Sequence, residues 1–370
     1  MTRVHNFNPG PAVLPEPVLK EAAAGILDLG GTGMSVLEIS HRAEPYRALH
    51  REAQQAILRL LKLEPDEYCV LFLGGGASLQ FLMLPMNYLQ AGQVADYIDT
   101  GLWSQKAIAE ARRVGELRIP ASSADAHYRC LPSVPALDGH ARYLHITTNN
   151  TIEGTQWPEL PETGAMPLVA DMSSDFLSRV LDYRRFSLIY AGAQKNAGPA
   201  GVTIVVVRRA FLEEARGDLP PMLSYRVHAR EDSLYNTPPV FGVYVVGLVC
   251  RWLEAIGGLE AVERLNRQKA QCIYEALEEC SDVYELTVTH SAHRSMMNIT
   301  FRLRDPSIEA EFLQGAEERR MIGLKGHRSV GGFRASCYNA LPLASAEILA
   351  DYLRAFARSR RSGAVFARRP

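Results

Sequence analysis

Short apolar runs alternate with longer amphipathic segments over the first two thirds of the chain. YCVLFL (68–73) has the unbroken apolar character of a strand covered on both faces. GGGAS (74–78) interrupts it, and a helical run follows to about Leu89. VADYID (94–99), RYLHIT (142–147), MPLVAD (166–171), SLIYA (187–191) and GVTIVVV (201–207) predict further strands, the last being the most β-branched. Helical patterns such as SQKAIAEARRVG (104–115) lie between them. This alternation predicts βαβ units and a mainly parallel sheet with helices on both faces. Only about nine residues separate SLIYA from GVTIVVV, which is short for a parallel crossover. One antiparallel strand is expected there, with Lys195 in the connection.

The texture changes after Gly257-Gly258. A long helix is predicted from about Leu259 to Cys280, then strands at YELTV (284–288) and MMNITFRL (296–303). A helix near 307–320, a Gly-rich stretch and a last helix near 344–358 complete the pattern. The expected fold class is α/β: a three-layer αβα large domain plus a smaller C-terminal α/β domain with an antiparallel sheet. The expected boundaries are an N-terminal arm at 1–15, the large domain at 16–257 and the small domain at 258–370.

Composition narrows the function classes. The chain has 370 residues and net charge −1, so no global basic field favours nucleic acid or a membrane surface. An anionic ligand must be held by a local cluster. The uncharged run Leu71 to Ala95 contains Gly74-Gly75-Gly76, Pro85 and three glutamines, which argues against a membrane span. MTRVHNFNPGPAVLP lacks the apolar core of a signal peptide. Six scattered cysteines, none in C-x-x-C, suit reduced thiols of a cytoplasmic protein better than disulfides or a metal site. The end, RSRRSGAVFARRP, reads as a solvated basic tail.

FSLIYAGAQKNAGPAGVTIVVV (186–207) holds one ionisable lysine, Lys195, between two core-like runs. Burial lowers a lysine pKa, and a neutral amine condenses with aldehydes. The competing reading is a loop lysine with its head in water. Small neighbours around Gln194 leave room for something flat above the loop. Asp171 ends MPLVAD, where open α/β sheets bind ligands, although such a residue also caps helices. GGGAS suits a phosphate at a helix start, or is a plain tight turn. Trp103 suits stacking on a flat ligand or ordinary core packing. His41-Arg42, His327-Arg328 and Arg334 form candidate anion clusters, or solvated surface.

Together these stretches resemble the phosphoserine aminotransferase family, pyridoxal-phosphate enzymes of the fold-type I aminotransferase group. The resemblance runs through NFNPGPAVLP, SVLEISHR, GGGASLQF, TNNTIEGTQW, ADMSSDFLSR, YAGAQKNAGPAG, YNTPPVF and LKGHRSVGGFRASCYNA, in order, over nearly the whole chain. It implies pyridoxal 5′-phosphate as cofactor, bound covalently by Lys195. Asp171 matches the partner of the ring nitrogen, Trp103 the stacking residue and Thr151 the contact to the phenolic oxygen. Ala77, Ser78 and Gln194 match holders of the cofactor phosphate. Asn236 and Thr237 match a pair reaching that phosphate from the second subunit of a homodimer. His41, Arg42, His327 and Arg328 match the cluster for the substrate phosphate or side-chain carboxylate, and Arg334 the arginine for its α-carboxylate. Some relatives carry arginine in the loop that here reads ASL, so Ser78 and backbone N–H groups are the expected phosphate donors.

The implied reaction is reversible transamination of 3-phosphohydroxypyruvate with L-glutamate, giving O-phospho-L-serine and 2-oxoglutarate in serine biosynthesis. A phosphorylated hydroxythreonine of vitamin B6 synthesis is a further candidate substrate. The alternatives are another fold-type I enzyme, such as an alanine–glyoxylate aminotransferase or a cysteine desulfurase, and a non-catalytic nucleotide-binding module using GGGAS. Neither nucleic acid nor a membrane is an expected partner.

Overall fold

The computed structural model describes residues 3–361. Its centre is a seven-stranded sheet. In chain order the strands are β1 (Tyr68–Leu73), β2 (Val94–Asp99), β3 (Glu116–Ser122), β4 (Leu144–Thr147), β5 (Leu168–Asp171), β6 (Phe186–Gly192) and β7 (Thr203–Arg208). Their spatial order is β1-β7-β6-β5-β4-β2-β3. β3, β2, β4, β5 and β6 pair in parallel. β7 runs antiparallel to both β6 and β1, as the short connection around Lys195 requires.

Apart from β3, the strands are largely apolar on both faces because helices cover both. One face carries Phe72, Ile98, Ile146, Ala170, Ile189 and Ile204, packed with residues of the helices Glu44–Leu61 and Val240–Ala255. The other carries Leu73, Tyr97, Val169, Tyr190 and Val205, packed with the helices Gly76–Tyr88 and Leu102–Ala111. β3 is absent from the sequence expectation. It is an edge strand, half exposed and containing Pro120, so it shows no apolar run.

A second core lies around β8 (Tyr284–Leu286), β9 (Asn298–Leu303) and β10 (Phe333–Ser336), all antiparallel in the order β8-β9-β10. The helices Gly258–Glu279 and Leu343–Arg361 pack on it. Phe7 and Val13 of the N-terminal segment join this core, and His5–Asn6 pairs in parallel with Met321–Ile322. β10 was hidden inside the Gly-rich stretch; glycines at 331 and 332 in left-handed conformation lead the chain into it. Most of the basic tail lies outside the described residues. Among the described residues, no single helix is long and apolar enough to cross a membrane.

Candidate active site

The functional side chains gather beyond the ends of β1, β4, β5 and β6, where loops leave the sheet. A cavity of about 450 Å³ opens there. It is lined by Gly75, Gly76, Ala77, Ser78, Trp103, Thr147, Thr151, Asp171, Gln194, Lys195, His327 and Arg334, among others. β1 delivers the chain into the helix Gly76–Tyr88 through Gly75 and Gly76, both at positive φ. The first bond at this helix end runs from Leu79 N–H to Gly75 O at 3.3 Å. Ahead of it the N–H groups of Gly76, Ala77 and Ser78 have no helical acceptor, which is the condition for an anion site.

Asp171 is the last residue of β5 and 4% exposed. The Ser173 N–H donates to its Oδ1 at 2.9 Å, so a local turn fixes the carboxylate rather than a helix cap. Burial raises its pKa; Lys195 and Ser173 pull the other way. Lys195 follows β6 in the link to β7. Burial lowers its amine to about 8, against the support of Asp171 and with the repulsion of Arg334. Its neighbours are pinned: Gln194 O accepts from Ala12 N–H (2.8 Å), and Asn196 bonds Ser174 O and Asn339 N–H (3.1 and 3.0 Å). Gly10 faces the lysine stem: a Cβ added there would sit 3.6 Å from Lys195 Cγ.

The opposite wall is built around Thr151. Trp103 Nε1 donates to Thr151 Oγ1 at 2.9 Å, and Arg334 Nη1 donates to Thr151 O at 2.8 Å. Arg334 is 6% exposed and its Nε has no partner. Two lysines approach the Trp103 ring, Lys195 at 5.6 Å and Lys106 at 4.5 Å from Nζ to centroid. His327 bonds Ser329 Oγ at 2.7 Å; burial, then Arg334 and Arg328, hold its pKa below the usual histidine range. A second cavity of about 440 Å³ lies past Ile152, lined by Arg129, Glu285 and Arg302. It contains neither Lys195 nor Asp171.

The structure therefore brings together Ala77, Ser78, Trp103, Thr151, Asp171, Gln194, Lys195, His327 and Arg334. It does not bring His41, Arg42, Asn236, Thr237 or Arg328 to the cavity wall of the same chain. His41 is half-buried and the other four are exposed. Residues 40–43 form a turn just before the helix Glu44–Leu61, and Asn236 Nδ2 donates only to Thr237 O at 3.1 Å. Sequence reasoning missed Thr147, Ser173, Ser174 and Asn196. Serine two residues after a strand-end aspartate is a readable turn signal; the others have no local signature.

The Aminotransferase class-V family model matches residues 4–346. A phosphoserine aminotransferase of Niallia circulans is 50% identical over 360 residues, covering 97% of this chain and 99% of that one. The solved phosphoserine aminotransferase from Bacillus circulans subsp. alkalophilus superposes with a TM-score of 0.94 at 49% identity, covering 97% and 99% of the two chains. The chain belongs to the phosphoserine aminotransferase family. The pyridoxal-phosphate-bound family member from Trichomonas vaginalis is 35% identical with a TM-score of 0.87, covering 95% and 100%. The fold is that of this family: α/β, with a mainly parallel central sheet.

The residues present fit pyridoxal 5′-phosphate. An amine lowered to about 8, a buried carboxylate, an indole face and a free helix N-terminus line one cavity. Thr147 Oγ1, buried there without a partner, is a further polar group open to a ligand.

Proposed function

We propose that this chain is a pyridoxal-phosphate aminotransferase interconverting 3-phosphohydroxypyruvate and L-glutamate with O-phospho-L-serine and 2-oxoglutarate. The observation that carries this reading is a buried, pKa-lowered Lys195 in one cavity with Asp171 and Arg334. The cofactor, when bound, supplies an aldehyde for amino groups and a ring that takes up the electron pair left by the departing α-proton. Lys195 would hold it covalently, Asp171 would face its ring nitrogen, Trp103 its ring and Thr151 its phenolic oxygen. The N–H groups of Ala77 and Ser78, with Gln194, would take its phosphate.

The chain's own residues then act on the substrate. Arg334 binds the α-carboxylate and so aims the α-carbon into the cavity. As a free amine, Lys195 Nζ would take the α-proton as general base and carry it as an ammonium. Burial helps, because it leaves much of the amine neutral near pH 8. The cations Arg42 and Arg328, together with the His41 and His327 imidazoles, serve phosphate and side-chain carboxylate in turn. A cysteine desulfurase fits less well, since no cysteine lines the cavity.

The site is completed by a second copy in this reading. Leu27 (84% exposed), Met34 (43%) and Leu37 (62%) lie on the segment that leads to Arg42, and Tyr235 (45%) adjoins Asn236-Thr237. Exposed apolar side chains on these segments support a homodimer interface there. The domain boundaries near 15 and 257 and a cytoplasmic location belong to the same proposal. The test is hybrid formation. Lys195→Ala, inactive, and Arg42→Ala, about 30-fold weaker toward phosphoserine, should together rise to about a quarter of wild-type activity when dissociated and mixed, since half the dimers then hold one intact site. No recovery would mean Arg42 does not serve the other copy's site.

A further inference from the structure

Lys269 is a second buried lysine, and the reaction above does not use it. It stands on the helix Gly258–Glu279 and is 1% exposed. Its side chain meets backbone carbonyls. Nζ donates to Tyr338 O at 2.7 Å, Cys337 O at 3.1 Å and Asn339 O at 3.4 Å. β10 ends at Ser336, one residue before this stretch. Successive carbonyls of a strand alternate in direction, so three that converge on one nitrogen mark a curl of the chain. An ammonium has three N–H donors and no acceptor, which matches three carbonyl oxygens. Burial lowers its pKa to about 8, so at pH 7 the ammonium form prevails. An apolar side chain in its place would leave the carbonyls facing one another in the interior.

The far side of the curl reaches the cavity lysine. Asn339 N–H donates to Asn196 Oδ1 at 3.0 Å, and Asn196 directly follows Lys195. Asn196 Nδ2 in turn donates to Ser174 O at 3.1 Å. The Tyr338 hydroxyl donates to Pro9 O at 2.9 Å, one residue before the glycine that faces the Lys195 stem. Asn266, one turn before Lys269 on the same helix, donates from Nδ2 to Asn339 Oδ1 and to Ser178 O, both at 2.9 Å. One helix packed on the second core thus grips three residues that touch the chain on two sides of Lys195. Lys269 itself does not line the cavity.

We propose that Lys269 is a positioning residue for Lys195. By holding the carbonyls of 337–339 it sets the contacts that seat Asn196 and the Pro9-Gly10 segment around the reacting amine. This role rests on the reading of Lys195 as that amine.

Lys269→Gln shortens the side chain and leaves two amide N–H donors for three carbonyls. At pH 7 with cofactor saturating, kcat for phosphoserine, glutamate and alanine should fall together by roughly tenfold or more, the scale of a reacting group displaced by a fraction of an ångström, with KM little changed. The visible circular dichroism band of the bound cofactor, which reads how its ring is held, should weaken. Asn196→Ala leaves Lys269 and its carbonyls in place but removes the link to Asn339; it should show the same two effects. The double variant should lose no more than the worse single variant, because both break one route. Losses that multiply in the double variant would overturn the positioning role. So would a Lys269→Gln protein less stable in urea but with the kcat and band of wild type, since Lys269 would then only hold the second core together. If Lys269→Gln does not fold, Asn196→Ala still decides: a normal kcat and band there would mean that the curl does not seat Lys195. Turnover by Lys195→Ala would overturn the reading of Lys195 itself, whereas an inactive Lys195→Ala beside a fully active Lys269→Gln overturns only the role of Lys269.

Discussion

The inner wall and the rim of the cavity are built differently. Asp171 and Thr151 are 4% and 3% exposed, sit where the sheet ends, and have their orientations set by hydrogen bonds. Arg42, Arg328, Asn236 and Thr237 are exposed and outside the cavity of their own chain. Groups that move protons must be placed to within fractions of an ångström, and strand ends provide that. Arg42 and Arg328, proposed above to read a substrate's distal charge, are long, hydrated side chains on loops, and in that proposal a second copy would bring them to the site. Wall substitutions should therefore change the reaction itself, and rim substitutions the choice among substrates.

Lys195→Ala gives the largest expected effect. No other lysine lines the cavity, so turnover should be lost with every donor. Borohydride reduction of the holoenzyme followed by peptide mapping should label Lys195; a label elsewhere sinks the assignment.

The wall was also the more legible half. Strands 68–73 and 94–99 match their expected bounds: the first is an uninterrupted apolar run, as a sheet covered on both faces favours, and the second is a mostly buried run that Asp96 and Asp99 interrupt. Lys195 and Asp171 stood out as charges at the ends of such runs. The edge strand β3 and the Gly-flanked β10 left no comparable trace. Nor did Asn196, whose hydrogen bonds reach Ser174 and Asn339, up to 143 positions away. The resemblance named the rim residues, but no local pattern in these exposed loops shows what they would meet.

A second test asks what the wall costs. Lys195 titrates near 8 in the folded cofactor-free chain and at 10.5 ordinarily. Below pH 8 both states are protonated, and the folded state bears the burial penalty in full. Between 8 and 10.5 the folded amine loses its proton first, so stability rises with pH; above 10.5 the penalty is gone. Lys195→Met never bears it. In urea unfolding without cofactor, the variant should gain on wild type by at most about 3 kcal/mol at pH 7, and the gain should vanish toward pH 10.5. Lys269, also lowered to about 8, is common to both proteins and cancels. A difference independent of pH would mean the amine is not strained by burial.

The rim should show selectivity instead. Arg42→Ala should lower kcat/KM for phosphoserine by about 30-fold, roughly 2 kcal/mol for a lost charge-assisted contact, and affect alanine far less. Arg334→Ala should damage phosphoserine, glutamate and alanine alike, because each carries the α-carboxylate. Half-reaction rates followed by cofactor absorbance compare them directly. Equal losses across donors for Arg42→Ala would erase the distinction between wall and rim.

Asp171→Asn is the mildest of the wall changes. The amide keeps the shape and can still accept from Ser173 N–H, so the fold and cofactor binding should survive. What disappears is one negative charge in a buried place. A charge-assisted hydrogen bond contributes about 1.5–3 kcal/mol, so kcat should fall at least about tenfold for all donors, with KM little changed. A second consequence follows from the neighbouring amine. Asp171 is the main group favouring the Lys195 ammonium, and Arg334 opposes it. Removing Asp171 leaves burial and Arg334 without that counterweight, so Lys195 in the cofactor-free variant should titrate below 8. Chemical labelling of Lys195 against pH reads this shift. An unshifted titration with normal kcat would mean that Asp171 acts on neither the reaction nor the lysine, and the inner wall would lose its central charge pair.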